Sequence, residues 1–102
     1  MTGGDLASVK ALLRDLQQST REDLQRLACL QRDNDAAGLG DLVHRVKGGA
    51  RIIKARHLLS ACEQLENACA QSPSAERIGP LVELLREAME HLAARLEQFC
   101  QD

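Results

Sequence analysis

Apolar residues along this chain recur at steps of three and four, the period of a helix with one buried face. Leu6, Val9, Leu13 and Leu16 open the series, with Asp5 placed to cap the start, and predict a short helix over 5–17. The run "STRE" reads as a capping box, with Ser19 at the N-cap and Glu22 three residues on. It predicts a helix over 20–32 with Leu24, Leu27, Ala28 and Leu30 turned inward. "RDND" interrupts the pattern and offers Asp33 or Asn34 as the next cap. A third helix is expected over 35–54 on Leu39, Leu42, Val43, Val46, Ala50 and Ile53, and a fourth over 57–71 on Leu58, Ala61, Cys62, Leu65, Ala68 and Cys69. "SPS" closes the fourth. The last, over 75–101, carries Ile78, Leu81, Leu85, Ala88, Met89, Leu92, Leu96 and Phe99, with Pro80 in its first turns offering a second start.

No period-two pattern, repeat or low-complexity tract competes with this reading. The expected fold is all-α: an antiparallel up-down-up-down four-helix bundle with a short extra N-terminal helix, forming one domain over 1–102. Composition agrees, because a core with Phe99 as its single aromatic must be built from Leu, Ile, Val, Ala and Cys. Met1–Gly4 reads as a free end, such as a domain cut from a longer protein would have.

Charge excludes some functions. The formal net charge is −2 with no Lys/Arg block, so no nucleic-acid partner is expected. No apolar run reaches the length of a membrane span and no signal peptide opens the chain, which points to the cytoplasm and to no membrane contact by this domain. Cys29, Cys62, Cys69 and Cys100 each fall on or beside an apolar stripe and read as reduced, buried thiols. No CxxC or HxxxH pair is present, so no metal or other cofactor is expected on this chain.

The informative stretch is "HRVKGGARII", where two glycines interrupt a helix at a cost of about 0.5–1 kcal/mol each. With His44 at zero and a step of about 100° per residue, Leu42, Val46 and Ile53 lie within about 20° of the opposite direction. His44 therefore faces water. Its neighbours on that crest are Ala37, Gly40, Lys47, Gly48 and Arg51. Glycine one turn before and one turn after leaves the imidazole standing in a clearing, flanked by the charges of Lys47 and Arg51. Gly49 points further inward, where it would let a neighbouring helix come close. A bare, cationic setting suits attack by a ring nitrogen on a phosphoryl group carried by a bulky partner. Lys47 would neutralise phosphoryl oxygens and keep the imidazole lone pair available. A docking surface is expected around His44, with Leu39, Val43 and the outward parts of the first helix as its apolar portion, Lys47 and Arg51 at its polar edge, and Gly40 and Gly48 within the partner-binding patch. His57, at a helix start, reads as a packing or capping residue, and His91 as a solvated one. Glu63, Glu66 and Glu83 lie on separate turns and form no catalytic pair.

At these residues the sequence resembles the histidine-containing phosphotransfer, or HPt, family, whose core is a histidine, a hydrophobic residue two positions on, then Lys-Gly and small residues. "HRVKGGA" matches at His44, Val46, Lys47, Gly48, Gly49 and Ala50. "ARHLLSACEQLENAC" is similar to the segment that follows the motif in HPt modules ending tripartite hybrid sensor kinases. The resemblance implies that His44 accepts phosphate through Nε2, that Lys47 supports it, and that Gly48 leaves room for a receiver domain. It implies relay between receiver aspartates of a hybrid kinase and of a response regulator, with Mg²⁺ held by the receiver. A monomer is expected because His44 must remain open, and no ATP-dependent kinase activity is expected of this chain. A non-catalytic bundle that merely docks a partner is the alternative. An autokinase dimerisation domain fits less well, since Arg45 follows the histidine where such helices usually carry an acid, and no nucleotide-binding glycine motif exists in 102 residues.

Overall fold

The computed structural model describes the backbone of residues 2–71 and 74–100 and the side chains of 7–71 and 74–99. Four helices make up these residues: α1 (Thr2–Arg32), α2 (Ala36–Ile52), α3 (Arg56–Gln71) and α4 (Ala75–Cys100). Each packs on its two neighbours, in a ring that returns from α4 to α1. Leu27, Leu39, Val43, Cys62, Leu65, Val82, Leu85 and Met89 fill the centre. The side chains of Leu6 and Cys100, and residues 72, 73 and 101, lie outside the described residues.

The first two predicted helices are one. The chain passes through Ser19 and Thr20 without a break because the Thr20 hydroxyl donates to the Leu16 carbonyl at 2.7 Å, which seats a β-branched polar residue inside a helix. Glu22 does not close a capping box; its carboxylate accepts from the Gln18 amide at 3.2 Å, one turn back. The cap of the next helix is Asp35, rather than Asp33 or Asn34, and it accepts from the Gly38 amide at 2.9 Å.

Two helix ends close in the same way. Asn34 and Lys54 hold the left-handed conformation (φ 54° and 56°). Asp35 N–H then donates to the Leu30 carbonyl and Ala55 N–H to the Ala50 carbonyl, satisfying groups the helix leaves open. α2 thus stops at Ile52, short of the expected 54. In α4 the helix starts at Ala75, ahead of Pro80: the Ser74 hydroxyl accepts from Arg77 N–H at 3.3 Å and Ile78 is buried, and together they hold the turn that precedes the proline.

Four inward assignments fail. Val9 is 50 % exposed, Ala28 and Cys29 are exposed, and Phe99 is 58 % exposed. The apolar surface of α4 is wider than its neighbours cover. Its buried line is Ile78, Val82, Leu85, Met89, Ala93 and Leu96, so Phe99 falls on a second, outer line.

Candidate functional site

α2 carries the site because its buried stripe fixes which side looks outward. Leu39, Leu42, Val43, Val46 and Ala50 face the core. His44 is consequently on the crest, with 78 % of its side chain exposed. Gly48, one turn on, is exposed, and a methyl built there would meet nothing within 4 Å; the same holds at Gly40, one turn back. The bare patch inferred from spacing is present. Among the described residues Arg51 has no ion pair, and it sits in the last turn of α2, where a cation complements the helix end.

Four assignments need correction. Leu39 (2 % exposed) and Val43 (0 %) belong to the core and offer no docking surface. They lie about 100–140° round the helix from His44, on the same arc as Val46 and Ala50. Gly49 does not admit a neighbouring helix: a methyl there meets nothing within 4 Å, and the residue opens on a cavity of about 130 Å³ shared with Thr20, Asp23 and Arg45. The closely approached glycine is Gly38, where a methyl would come within 2.6 Å of Leu30 Cδ2 and 2.7 Å of the capping Asp35 carboxylate, so those side chains would have to shift. Lys47 is not a free cation on the crest. Its side chain is 14 % exposed and its Nζ donates to Glu66 Oε1 of α3 at 2.7 Å.

Glu66 is the residue the spacing did not reveal. Its other oxygen, Oε2, lies 3.5 Å from His44 Nδ1. One carboxylate from α3 therefore faces both the histidine and the lysine of α2. The hydrogen bond from Lys47 holds the Glu66 carboxyl below its ordinary range, so it is ionised and acceptor-only around neutral pH. A carboxylate beside Nδ1 favours the tautomer with its proton there and the lone pair on Nε2. No pattern within α3 marks Glu66, because its partners lie on another helix. The one signal was that it falls in the segment "ARHLLSACEQLENAC".

On its opposite flank α2 is tied to α1. Arg45 Nη2 reaches Asp23 Oδ1 at 3.2 Å, and Asp23 is buried. Burial pushes the Asp23 carboxyl up, and the Arg45 guanidinium partly offsets this. The two ion pairs grip α2 immediately before and after Val46, on either side of the histidine crest. His57 and His91 are both exposed and far from this arrangement in the chain. Among the described residues no group of three His, Cys, Asp or Glu could hold a metal ion, and no helix is long and apolar enough to cross a membrane.

The family model "Hpt domain" matches residues 11–101. The virulence sensor protein BvgS of Bordetella bronchiseptica is 28 % identical over 102 residues, covering 99 % of this chain and 8 % of that protein. The BvgS protein of Bordetella pertussis matches to the same extent. The sensor protein EvgS of Escherichia coli is 26 % identical over 100 residues, 98 % of this chain and 8 % of that protein. The chain thus spans about a twelfth of the length of these relatives. No solved structure matches.

Proposed function

The chain belongs to the Hpt domain family, the histidine phosphotransfer modules of phosphorelays, and on that premise we propose that His44 is its phosphoacceptor. The observation that carries the assignment is the exposed imidazole between two bare glycine positions, with Nδ1 turned to a carboxylate. On this reading the Nε2 lone pair attacks the phosphorus of an aspartyl phosphate on a receiver domain. A P–N bond forms as the P–O bond breaks, and the electron pair leaves with the aspartate carboxylate. The ring becomes electron-poor, and Glu66 offsets the charge felt at Nδ1–H. Lys47 keeps Glu66 in place and lends positive charge to the phosphoryl oxygens. Gly40 and Gly48 leave the surface low enough for the receiver to approach, and Arg51 borders the same patch. The reverse transfer passes the group to a second receiver.

Several features follow from the same proposal. The carrier holds no cofactor of its own, and the Mg²⁺ used in the exchange sits with the receiver. The helices run up-down-up-down, which is supported by the short connections at 33–35 and 53–55 between packed neighbours. The chain acts as a monomeric, single-domain module, on the cytoplasmic side, of a longer sensor protein, a context supported by the small share of BvgS and EvgS that it matches. The donor is then a receiver of that sensor and the acceptor a response regulator.

Incubation with a phosphorylated receiver tests the assignment. The protein should acquire an acid-labile, base-stable phosphate, and His44→Gln should acquire none. Normal loading of His44→Gln would end the proposal by placing the phosphate on another residue, and receiver binding with no loading of the wild type would favour a module that only docks its partner.

A further inference from the structure

α4 carries two apolar lines rather than one. Leu84, Ala88, Leu92 and Phe99 lie within about 80° of one another on the helix, displaced by about 90° from the buried line through Leu85 and Met89. Leu84 is 46 % exposed and Phe99 58 %. These residues form the floor of an open groove of about 820 Å³. Its walls are the 53–55 turn with the first turns of α3 on one side, and Leu13 of α1 on the other. The groove exists because the helices are unequal: α1 and α4 have 31 and 26 residues, α2 and α3 only 17 and 16. Where the short pair ends, the long pair is left without cover. None of the lining residues is His44, Lys47 or Glu66.

The rim has a sign. Among the described residues Lys54, Arg56 and Arg95 line the groove, with His57 and His91 among them, against the single carboxylate of Glu87. This local excess of positive charge stands on a chain whose net charge is −2. A second copy would bring a like-charged rim to the same place, which disfavours self-association through it. The shape suits a helix: the floor runs straight along α4 for about 22 Å, and a cylinder about 10 Å across fills 820 Å³ in about two turns. We propose that this groove is a second docking site, separate from His44, that receives an acidic amphipathic helix of a partner protein. Apolar residues at i, i+3 or i+4 and i+7 would fill the space left by the short helices, and flanking Asp or Glu would meet Lys54, Arg56 and Arg95. Because the site shares no residue with the phosphotransfer patch, a partner bound here can stay while a receiver visits His44.

Two synthetic helical peptides of about three turns test this, with the same leucine stripe but flanks of Glu in one and Lys in the other. Fluorescence anisotropy on the full chain should show the Glu peptide binding and the Lys peptide binding about tenfold or more weaker. Arg95→Glu, which leaves two cations against two carboxylates on the rim, should remove that preference, and Leu84→Asp should abolish binding of both. Both positions are exposed, so the fold should survive, which circular dichroism checks. Amide shift changes should follow the outer line of α4 and spare the α2 crest, and loading of His44 by phosphoramidate should be unaltered by bound peptide. Equal binding of the two peptides, indifference to Arg95→Glu, or shifts centred on α2 would overturn the proposal. So would self-association that the peptides compete away, or binding to phosphatidylglycerol vesicles in preference to the Glu peptide.

Discussion

Gly48→Ala should make this protein more stable, while Gly48→Gln should stop it exchanging phosphate with a receiver. No glycine among the described residues has positive φ, and a methyl at position 48 meets nothing within 4 Å. Alanine therefore brings its helix propensity without strain, worth about 0.5–1 kcal/mol. For a domain of this size each kcal/mol moves the midpoint by about 4–8 °C, so Tm should rise by about 2–8 °C. Glutamine gains slightly less, since its propensity is close to that of alanine. Its effect on access is larger. Residues four apart on a helix have Cβ atoms about 5–6 Å from each other, so a glutamine side chain reaches over the imidazole of His44. A receiver held off by even about 1 Å loses on the order of a hundredfold in transfer rate. The assay pairs thermal unfolding with two phosphorylations, one from a phosphorylated receiver and one from phosphoramidate. The small donor should load all three proteins alike, and only the receiver reaction should fail in Gly48→Gln. Full-speed transfer from the receiver to Gly48→Gln would refute the access reasoning, and a lower Tm for Gly48→Ala would refute the helix energetics.

Glu66→Ala should release Lys47 and move the His44 ring toward an unbiased mixture of tautomers. Nitrogen NMR of the imidazole reads the tautomers, and a spectrum unchanged from wild type would remove Glu66 from the site. The same carboxylate, held below its ordinary range by Lys47, contributes stability that is present above that range and is lost as pH falls through its lower native value. Urea midpoints of wild type and Glu66→Gln should therefore converge in acid. Asp35→Ala should cost about 1 kcal/mol through loss of the bond to the Gly38 amide, with an unchanged dependence on denaturant concentration. Cys29, exposed, should alkylate readily in the native protein. Cys62, whose thiol burial pushes up to about 12, should react only on unfolding; mass spectrometry of the digest distinguishes the two.

Legibility in the sequence followed the range of the interactions. The stripe of α2 is local, so spacing alone placed Leu42 and Val46 inward and His44 outward, and it located the bare positions 40 and 48. Leu39 and Val43 were assigned to the core stripe and to a docking surface at once; the packed structure leaves only the first role. The continuity of α1 was hidden because Ser19 and Thr20 signal a helix start as strongly as they tolerate a helix interior, and the bond from Thr20 to Leu16 that decides between them is invisible in composition. Lys47 was read as a cation turned only to the phosphoryl group because a helix wheel says nothing of a carboxylate arriving from α3. Phe99 was read as buried because a stripe gives the apolar arc of a helix but not how much of that arc the neighbours cover.

The two cross-helix ion pairs make better sense as positioning devices than as sources of stability. Lys47 and Asp23 are largely buried (side chains 14 % and 10 % exposed), so the cost of taking them out of water offsets much of the attraction in Lys47–Glu66 and Arg45–Asp23. Their geometry is more telling. The reactive ring nitrogen of a helical histidine stands about 7 Å from the helix axis, so a rotation of α2 by about 20° carries it about 2.5 Å sideways. A displacement of that size exceeds what phosphoryl transfer tolerates. Core packing of Leu42 and Val46 sets the mean rotation, yet apolar contacts resist small turns weakly because they are not directional. Two charged tethers at 2.7 and 3.2 Å, one to α3 and one to α1, oppose rotation in both senses. The helix that surrenders stability at Gly40 and Gly48 to expose its histidine is therefore the one held from both sides, which is what a reacting group presented on an open surface requires.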